Sequence, residues 1–214
     1  MRLSPLERLI RKIFCTPERI GNYGEKLVVR ELKLLRLFGR KGRILRNVYI
    51  PKPKEETAEL DVIYITQKGI FIVESKNYSG WIFGNENDKY WTAMLENRQK
   101  NSFYNPILQN ASHLKWTRAF VGEDVPLFSI VAFSERCELK KVTVTSKDVR
   151  VVKRDRLYAT IRSIWKEVPD ALAPERVDEL YDELYPLTKV DKEFKRAHVE
   201  TIRRKYAKKS ERDA

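Results

Sequence analysis

The sequence predicts an α/β fold in which helices cover both faces of a β-sheet, with a helical extension at the C-terminal end. Two neighbouring segments, 58–66 and 70–76, are apolar on both faces, and so is the later segment 127–133. Strands of this kind are buried in the middle of a sheet, so helices must lie above and below them. Segments with helical periodicity precede the first strand and follow the last one.

The order of elements follows from start and stop signals along the chain. Thr16-Pro17-Glu18 opens a helix that Gly39 closes, and Asn105-Pro106 opens another that runs to about residue 121. Beyond the three buried strands, the sequence predicts strands at 43–50, 81–83, 90–93, 141–145 and 149–152, then helices after residue 155 with breaks at Pro169, Pro174 and Pro186.

We predict three parts of the chain. Residues 1–15 form an amphipathic helix, which either packs on the protein or lies on a membrane surface. Residues 16–168 form the main domain, and residues 169–214 form a basic helical extension. From residue 189 onward this extension has 10 Lys or Arg against 5 Asp or Glu, so it is either a solvated helix or a contact to a nucleic-acid backbone.

Charge and composition narrow the classes of function. With 43 Lys and Arg against 30 Asp and Glu, the 214 residues carry a formal net charge of +13, which favours nucleic acid or an anionic membrane surface as a partner. His113 and His198 are the two histidines, and Cys15 and Cys137 are far apart, so a histidine-based triad or zinc site is disfavoured. We expect a reducing cytoplasm, with no spanning helix and no secretory leader.

Charged residues interrupt the hairpin formed by the first two buried strands. Asp61 lies in the first run, and Glu74 and Lys76 end the second. A two-residue loop at Gln67-Lys68 places Asp61 directly opposite Glu74, with their Cβ atoms about 4.5–5.5 Å apart. A loop shifted by one residue places Asp61 opposite Lys76 instead. Both registers put the three side chains on one face, whereas an odd-length loop does not.

Two acids and an amine on one face of a sheet form a candidate metal site. An unpaired buried carboxylate is costly, so Lys76 either forms a structural ion pair or shares the site with a divalent cation. Mg²⁺ prefers oxygen ligands, usually one or two carboxylates, which Asp61 and Glu74 offer together with the backbone carbonyl of Ser75. Lys76 is then placed to position the attacking water and to stabilise developing negative charge.

Glu25 is a further candidate from the first helix. Gly21 and Gly24 weaken this helix, which indicates close packing there or a functional site beside Glu25. If the helix packs on the sheet, Glu25 could bind a metal through water or hold Lys76.

Five short motifs follow one another between residues 20 and 135. They are Gly21-Asn22-Tyr23-Gly24-Glu25, Glu59-Leu60-Asp61-Val62, Val73-Glu74-Ser75-Lys76-Asn77 followed by Gly80, Trp91, and Asn105-Pro106-Ile107-Leu108-Gln109. In this order they resemble the nuclease-related domain (NERD) family, a branch of the PD-(D/E)XK restriction-endonuclease-like superfamily.

The resemblance implies a restriction-endonuclease-like mixed sheet and Mg²⁺-dependent hydrolysis of phosphodiester bonds, with Mn²⁺ as a substitute. It implies that Asp61 and Glu74 bind metal, that Lys76 is the catalytic lysine, that Glu25 is an accessory acid and that Gln109 belongs to the site. We therefore expect an endonuclease that acts on DNA. The alternative is a non-catalytic nucleic-acid-binding module of the same fold, which could also lie at a membrane surface. In either case the protein could act as a homodimer.

The second predicted helix carries polar residues on one face. Gln109, His113 and Trp116 fall at helical spacing, and Gln109 could hydrogen-bond to water or phosphate. We interpret His113 as a structural histidine with satisfied hydrogen bonds rather than as a ligand. Trp81, Trp91 and Trp116 are expected in the core rather than as platforms for base stacking.

Overall fold

A computed structural model describes the backbone of residues 17–212, and the side chains of residues 21–201 and Arg204. The amphipathic helix predicted for residues 1–15, together with Cys15, lies outside these residues.

The described helices are α1 (Pro17–Leu37), α2 (Pro106–Val121), α3 (Leu157–Glu167), α4 (Pro174–Leu184) and α5 (Lys192–Arg212), with 3₁₀ turns at Arg154–Arg156 and Tyr185–Thr188. The strands are β1 (Arg43–Lys52), β2 (Glu56–Thr66), β3 (Gly69–Lys76), β4 (Gly80–Asn85), β5 (Tyr90–Met94), β6 (Lys100–Tyr104), β7 (Leu127–Phe133), β8 (Cys137–Thr143) and β9 (Val149–Lys153).

The central sheet is mixed, with the strand order β1-β2-β3-β7-β9. The pairs β1–β2 and β2–β3 are antiparallel, whereas β3, β7 and β9 run parallel to one another. This mixed sheet with helices on both faces confirms the predicted fold class and is consistent with a restriction-endonuclease-like fold. The prediction missed β6, because its first residues are polar and lack the alternation of apolar side chains that marks a strand.

From Val62 onward, alternate residues of β2 and of β3 pack into different cores, as expected for strands buried on both sides. One core joins Ile63, Ile65, Ile70 and Ile72 to α4 and to the end of α2. The other joins Val62, Tyr64, Phe71 and Val73 to α1 and α3. The hairpin is therefore covered on both faces from Val62 onward. Before it, Ala58 and Leu60 pack into the same core as Ile63, so the alternation of β2 changes at Asp61.

A second sheet, with the order β6-β5-β4-β8, lies beyond the end of β3. Trp91 of β5 is buried there and stacks on Phe133, with ring centroids 6.0 Å apart, which confirms its predicted core position. Trp81 is 40% exposed, so its predicted core position is wrong. Ile82, the next residue of β4, points into the core, and strand alternation therefore turns Trp81 outward.

The C-terminal helices pack on the β1–β2 edge of the central sheet. Val177, Leu180 and Leu184 of α4 are buried in the core that contains Ile63. In α5, the ring of Phe194 meets Tyr49 of β1 edge to face, with centroids 5.5 Å apart. Among the described residues, no helix combines the length and the apolar character needed to cross a membrane.

Candidate active site

The register of the β2–β3 hairpin is the one given by a loop at Gln67-Lys68. Thr66 pairs with Gly69, and the regular ladder ends at Val62 and Val73. Asp61 and Glu74 are the residues directly beyond this ladder. Both lie on the α2 side of the sheet, because Asp61 lines a cavity together with Gln109 and His113, and Glu74 lies 3.4 Å from His113.

β2 and β3 separate at Asp61, where the side chain of Asp61, rather than its backbone, accepts the hydrogen bond from β3. Oδ2 of Asp61 accepts a hydrogen bond of 2.8 Å from the backbone N–H of Ser75. The carboxylate is therefore fixed beside Ser75, the residue between Glu74 and Lys76. Among the described residues, Asp61 forms no ion pair within 4 Å, so its charge has no direct cationic partner there.

Glu74 and Lys76 form a buried ion pair that α2 completes. Nζ of Lys76 lies 2.6 Å from Oε1 of Glu74, whose side chain is only 2% exposed. The same ammonium donates a 2.9 Å hydrogen bond to Oε1 of Gln109. The predicted residues Glu74, Lys76 and Gln109 are thus brought together by one strand and one helix.

His113 touches the site, which the sequence interpretation did not foresee. It is buried one helical turn after Gln109, and its Nε2 lies 3.4 Å from Oε2 of Glu74. Both ring nitrogens of His113, and Oε2 of Glu74, lack hydrogen-bond partners of normal geometry among the described residues. The satisfied hydrogen bonds expected for His113 are therefore not observed, and the ring instead faces the Glu74 carboxylate.

Asn110 fixes the helix that presents Gln109 and His113. Its buried side-chain amide donates a hydrogen bond of 2.8 Å to Oγ of Ser129 and one of 3.2 Å to the carbonyl of Ile72. These two bonds join α2 to β7 and β3. Asn105 caps the start of α2 by accepting from the N–H of Ile107. The turn of helix between these asparagines is consequently anchored to the sheet at both ends.

Glu25 lies near the other acids but has a partner of its own. Its Oε2 accepts a 2.7 Å hydrogen bond from Arg46 of β1. A Cβ on the neighbouring Gly24 would meet Ser75 Oγ and Asn77 Cβ at 3.1 Å, so the glycine lets α1 approach the end of β3 closely. The expected close packing is therefore found at Gly24, whereas a Cβ at Gly21 would meet nothing within 4 Å. Glu25 holds Arg46 rather than Lys76 in this structure.

The edge of β1 is irregular beside the site. Asn47 adopts a positive φ of 52° and lies across from Asp61, between the regular pairs Arg46–Val62 and Val48–Leu60. Non-glycine residues rarely take this left-handed conformation, and asparagine is one of the residues that tolerate it best. The irregular backbone therefore coincides with the position of the unpaired carboxylate, and such strain is concentrated at functional sites.

The electrostatic environment differs for the three acids. Burial and the nearby charge of Glu74 raise the pKa of Asp61 well above its usual value. Burial also raises the pKa of Glu25, although Arg46 opposes the shift. For Glu74, burial alone would raise the pKa, but Lys76 and His113 outweigh it and lower the pKa to about 2. Asp61 therefore carries the least compensated negative charge.

The residues present fit a hard cation with few protein ligands. Within the described residues no cluster of three or more His, Cys, Asp or Glu side chains is placed to hold a metal ion. Mg²⁺ commonly uses only one or two carboxylates and fills its other positions with water and phosphate oxygens. Asp61 without a cationic partner, and the unpartnered Oε2 of Glu74, supply two such oxygens. Ser75, whose backbone carbonyl is the third expected ligand, directly follows Glu74 in the sequence.

A cavity of about 570 Å³ opens beside these residues. Asp61, Gln109 and His113 form part of its wall, and α5 contributes Phe194 and His198 on another side. Nδ1 of His198 lies 2.8 Å from Oγ1 of Thr57, and Nε2 lies 3.8 Å from Oε2 of Glu59. The candidate site is therefore reached through a space that the C-terminal helix helps to form.

The family described as "Nuclease-related domain" matches residues 20–134. An uncharacterized protein from Bacillus anthracis is 34% identical over 206 residues, which cover 96% of this chain and 93% of that protein. No solved structure matches the chain significantly.

Proposed function

The chain belongs to the nuclease-related domain family, and from this premise we propose that it is a Mg²⁺-dependent endonuclease that hydrolyses phosphodiester bonds of DNA in the cytoplasm. The observation that carries the proposal is the convergence of Asp61, Glu74 and Lys76 at one end of β3, against Gln109 of α2. This arrangement of two acids and a lysine is consistent with membership of a nuclease-related family.

The proposed roles follow from the contacts of each side chain. Asp61, Glu74 and the Ser75 carbonyl would hold the metal, which when bound makes water more acidic and offsets negative charge on the phosphate. Glu74 and Gln109 orient the ammonium of Lys76, so that it can position the attacking water and stabilise charge developing on the scissile phosphate. Oε2 of Glu74, the oxygen proposed to bind the metal, lies 3.4 Å from Nε2 of His113.

A basic cleft beside the site supports a polyanionic substrate. It measures about 640 Å³ and is lined by Lys26, Arg46 and Lys195, among others. Arg46 holds Glu25, and Asn47 in the same cleft lies across from Asp61. Phosphates bound in this cleft would therefore run close to the proposed catalytic residues, as expected for binding that is dominated by the nucleic-acid backbone.

The experiment is a cleavage assay with supercoiled and linear DNA, in Mg²⁺ or Mn²⁺ and then with a chelator. Nicking or linearisation of the supercoiled form, lost with the chelator, is expected. Asp61→Ala, Glu74→Ala and Lys76→Ala should each abolish cleavage with binding largely retained, whereas Glu138→Ala, which removes an exposed carboxylate on β8, should not. Metal-dependent cleavage by a purified, folded Glu74→Ala variant would contradict the assignment.

One observation favours the non-catalytic alternative. The ion pair with Lys76 already neutralises one oxygen of Glu74, so a structural role for the pair explains its burial without a cation. The same assay separates the two functions: DNA binding without hydrolysis under any divalent cation would identify a binding module. Calorimetric titration of Mn²⁺ into the wild type and the Asp61→Ala variant tests metal binding independently of cleavage.

A further inference from the structure

Two large, partly exposed apolar side chains from different helices line the cavity that contains Asp61. Leu108 of α2 is 37% exposed and Phe194 of α5 is 39% exposed, and both line this cavity. Tyr104, at the end of β6, lines it as well and is half-buried. Apolar and aromatic walls around a concave space are typical of sites that bind a small planar group.

The size of the cavity limits what it can accept. Its volume of about 570 Å³ lies within the range of roughly 300–1,000 Å³ that is typical of sites for one small molecule. One unstacked nucleotide fits such a space, whereas a base pair within a duplex does not. Enzymes that act on single bases or strands pull a base out of the stack into a pocket of this kind.

Charge indicates which part of a nucleotide would occupy the cavity. Glu55, Glu56 and Glu59 line it together with Lys52, so carboxylates outnumber ammonium groups on this side and would repel phosphates. Carboxylates do accept hydrogen bonds from the amino groups of bases. A base inside the cavity therefore leaves its phosphate on the side of Asp61 and Lys76, next to the basic cleft lined by Lys26.

We infer that the site takes an unpaired nucleic-acid strand, with one base held between Leu108 on α2 and Phe194 on α5 and the adjoining phosphate beside Asp61. This inference rests on the proposed nuclease function and adds the form of the substrate. Stacking of bases on apolar and aromatic side chains tolerates any base sequence, so selection is by strand form.

The test compares binding of a labelled oligonucleotide as a single strand and as a duplex by fluorescence anisotropy, with EDTA present to prevent hydrolysis. Charge alone favours the duplex, which has the steeper salt dependence of the two. We expect the single strand to bind about tenfold more tightly. An RNA strand of the same sequence is measured in parallel to determine whether the site prefers ribose or deoxyribose. Tight binding of either single strand supports the inference.

Two variants and their matched controls locate the effect. Leu108→Ala and Phe194→Ala should each weaken single-strand binding about fivefold or more. Phe120→Ala on α2 and Val199→Ala on α5 remove side chains that are 36% and 42% exposed outside the cavity, and should leave binding unchanged. Because Phe194 also packs on Tyr49, Phe194→Tyr is included to keep the ring and should retain binding.

The outcomes distinguish this inference from the nuclease proposal. Single-strand preference that depends on Leu108 and Phe194, without hydrolysis in Mg²⁺, would support the inference and overturn the catalytic function. Hydrolysis of duplex together with equal or tighter duplex binding, and Leu108→Ala and Phe194→Ala variants that behave like their controls, would overturn the inference and leave the nuclease intact.

Discussion

The ammonium of Lys76 lies 2.6 Å from Oε1 of Glu74, and both side chains reach α2 from the same side of β3. Burial would lower the pKa of Lys76, but Glu74 and Asp61 reverse this and raise it above the usual value. The lysine therefore stays protonated and serves the site as an electrostatic and hydrogen-bonding group rather than as a proton acceptor.

Removing one partner of this pair should destabilise the protein strongly. Lys76→Met leaves the Glu74 carboxylate buried without its cation, and we expect the free energy of unfolding to fall by about 3–5 kcal/mol. Urea denaturation at neutral pH measures this loss. The double variant Lys76→Met/Glu74→Gln should recover part of it, because no buried charge remains unpaired.

The exposed ion pair between Lys140 and Glu138 serves as the control for the buried pair Glu74–Lys76. Lys140→Met breaks the surface contact with Glu138 and should cost only about 0–1 kcal/mol. A loss of similar size for Lys76→Met would show that solvent already screens the Glu74–Lys76 pair.

The raised pKa of Asp61 predicts a stabilising substitution. Folding raises this pKa, so the folded state binds the proton more tightly than the unfolded state does. The carboxylate therefore destabilises the fold most at pH values above the folded pKa, and this penalty disappears as the pH falls towards the unfolded value. Asp61→Asn should raise the free energy of unfolding at pH 8 and have little effect at pH 4.

Metal binding should show the opposite dependence on pH at the same residue. Protons compete with a cation for Asp61, so Mn²⁺ affinity is expected to fall on acidification at a pH above the usual titration range of an aspartate. Calorimetric titrations over a pH series measure this. An affinity that stays constant down to pH 5 would contradict the role assigned to Asp61.

Asn110 should affect both stability and catalysis, although it does not line the cavity. Asn110→Ala removes the donors to Ser129 and to the Ile72 carbonyl, and a loss of about 1–3 kcal/mol is expected from the unsatisfied buried groups. The cleavage rate should fall as well, because Gln109 and His113 are no longer fixed. Lys115→Ala, an exposed change on the same helix, should alter neither quantity.

Phosphate contacts in the basic cleft should appear in the salt dependence of DNA binding. Lys26→Gln and Lys195→Gln should each reduce the slope of log affinity against log salt by about 1, with no effect on sequence preference. Lys166→Gln, an equal loss of charge on the exposed surface of α3, is the control. Equal slopes for all three variants would place the nucleic acid elsewhere.

Much of the fold could be predicted because its signals are local. Apolar runs on both faces identified the central strands, and the paired end residues Thr66 and Gly69 have the register that the Gln67-Lys68 loop requires. The outward turn of Trp81 was missed, because residue type alone does not say which face of a short strand is buried.

The partners within the site were less predictable than its acids. The approach of His113 to Glu74 depends on how α2 is rotated, which Asn110 sets through contacts with residues 38 and 19 positions away. The pairing of Glu25 with Arg46 likewise depends on the packing of α1 across the sheet edge. A buried asparagine beside Gln109 was the available signal for the first of these, since such amides need partners.

The anchored turn between Asn105 and Asn110 has an evolutionary consequence. Inserting or deleting one residue there would rotate the rest of α2 by about 100°, carrying Gln109 and His113 away from Lys76 and Glu74 at once. A replacement at one position of the turn changes one contact, whereas a change of length displaces both contacts together. Relatives of this protein should therefore keep the length of this turn.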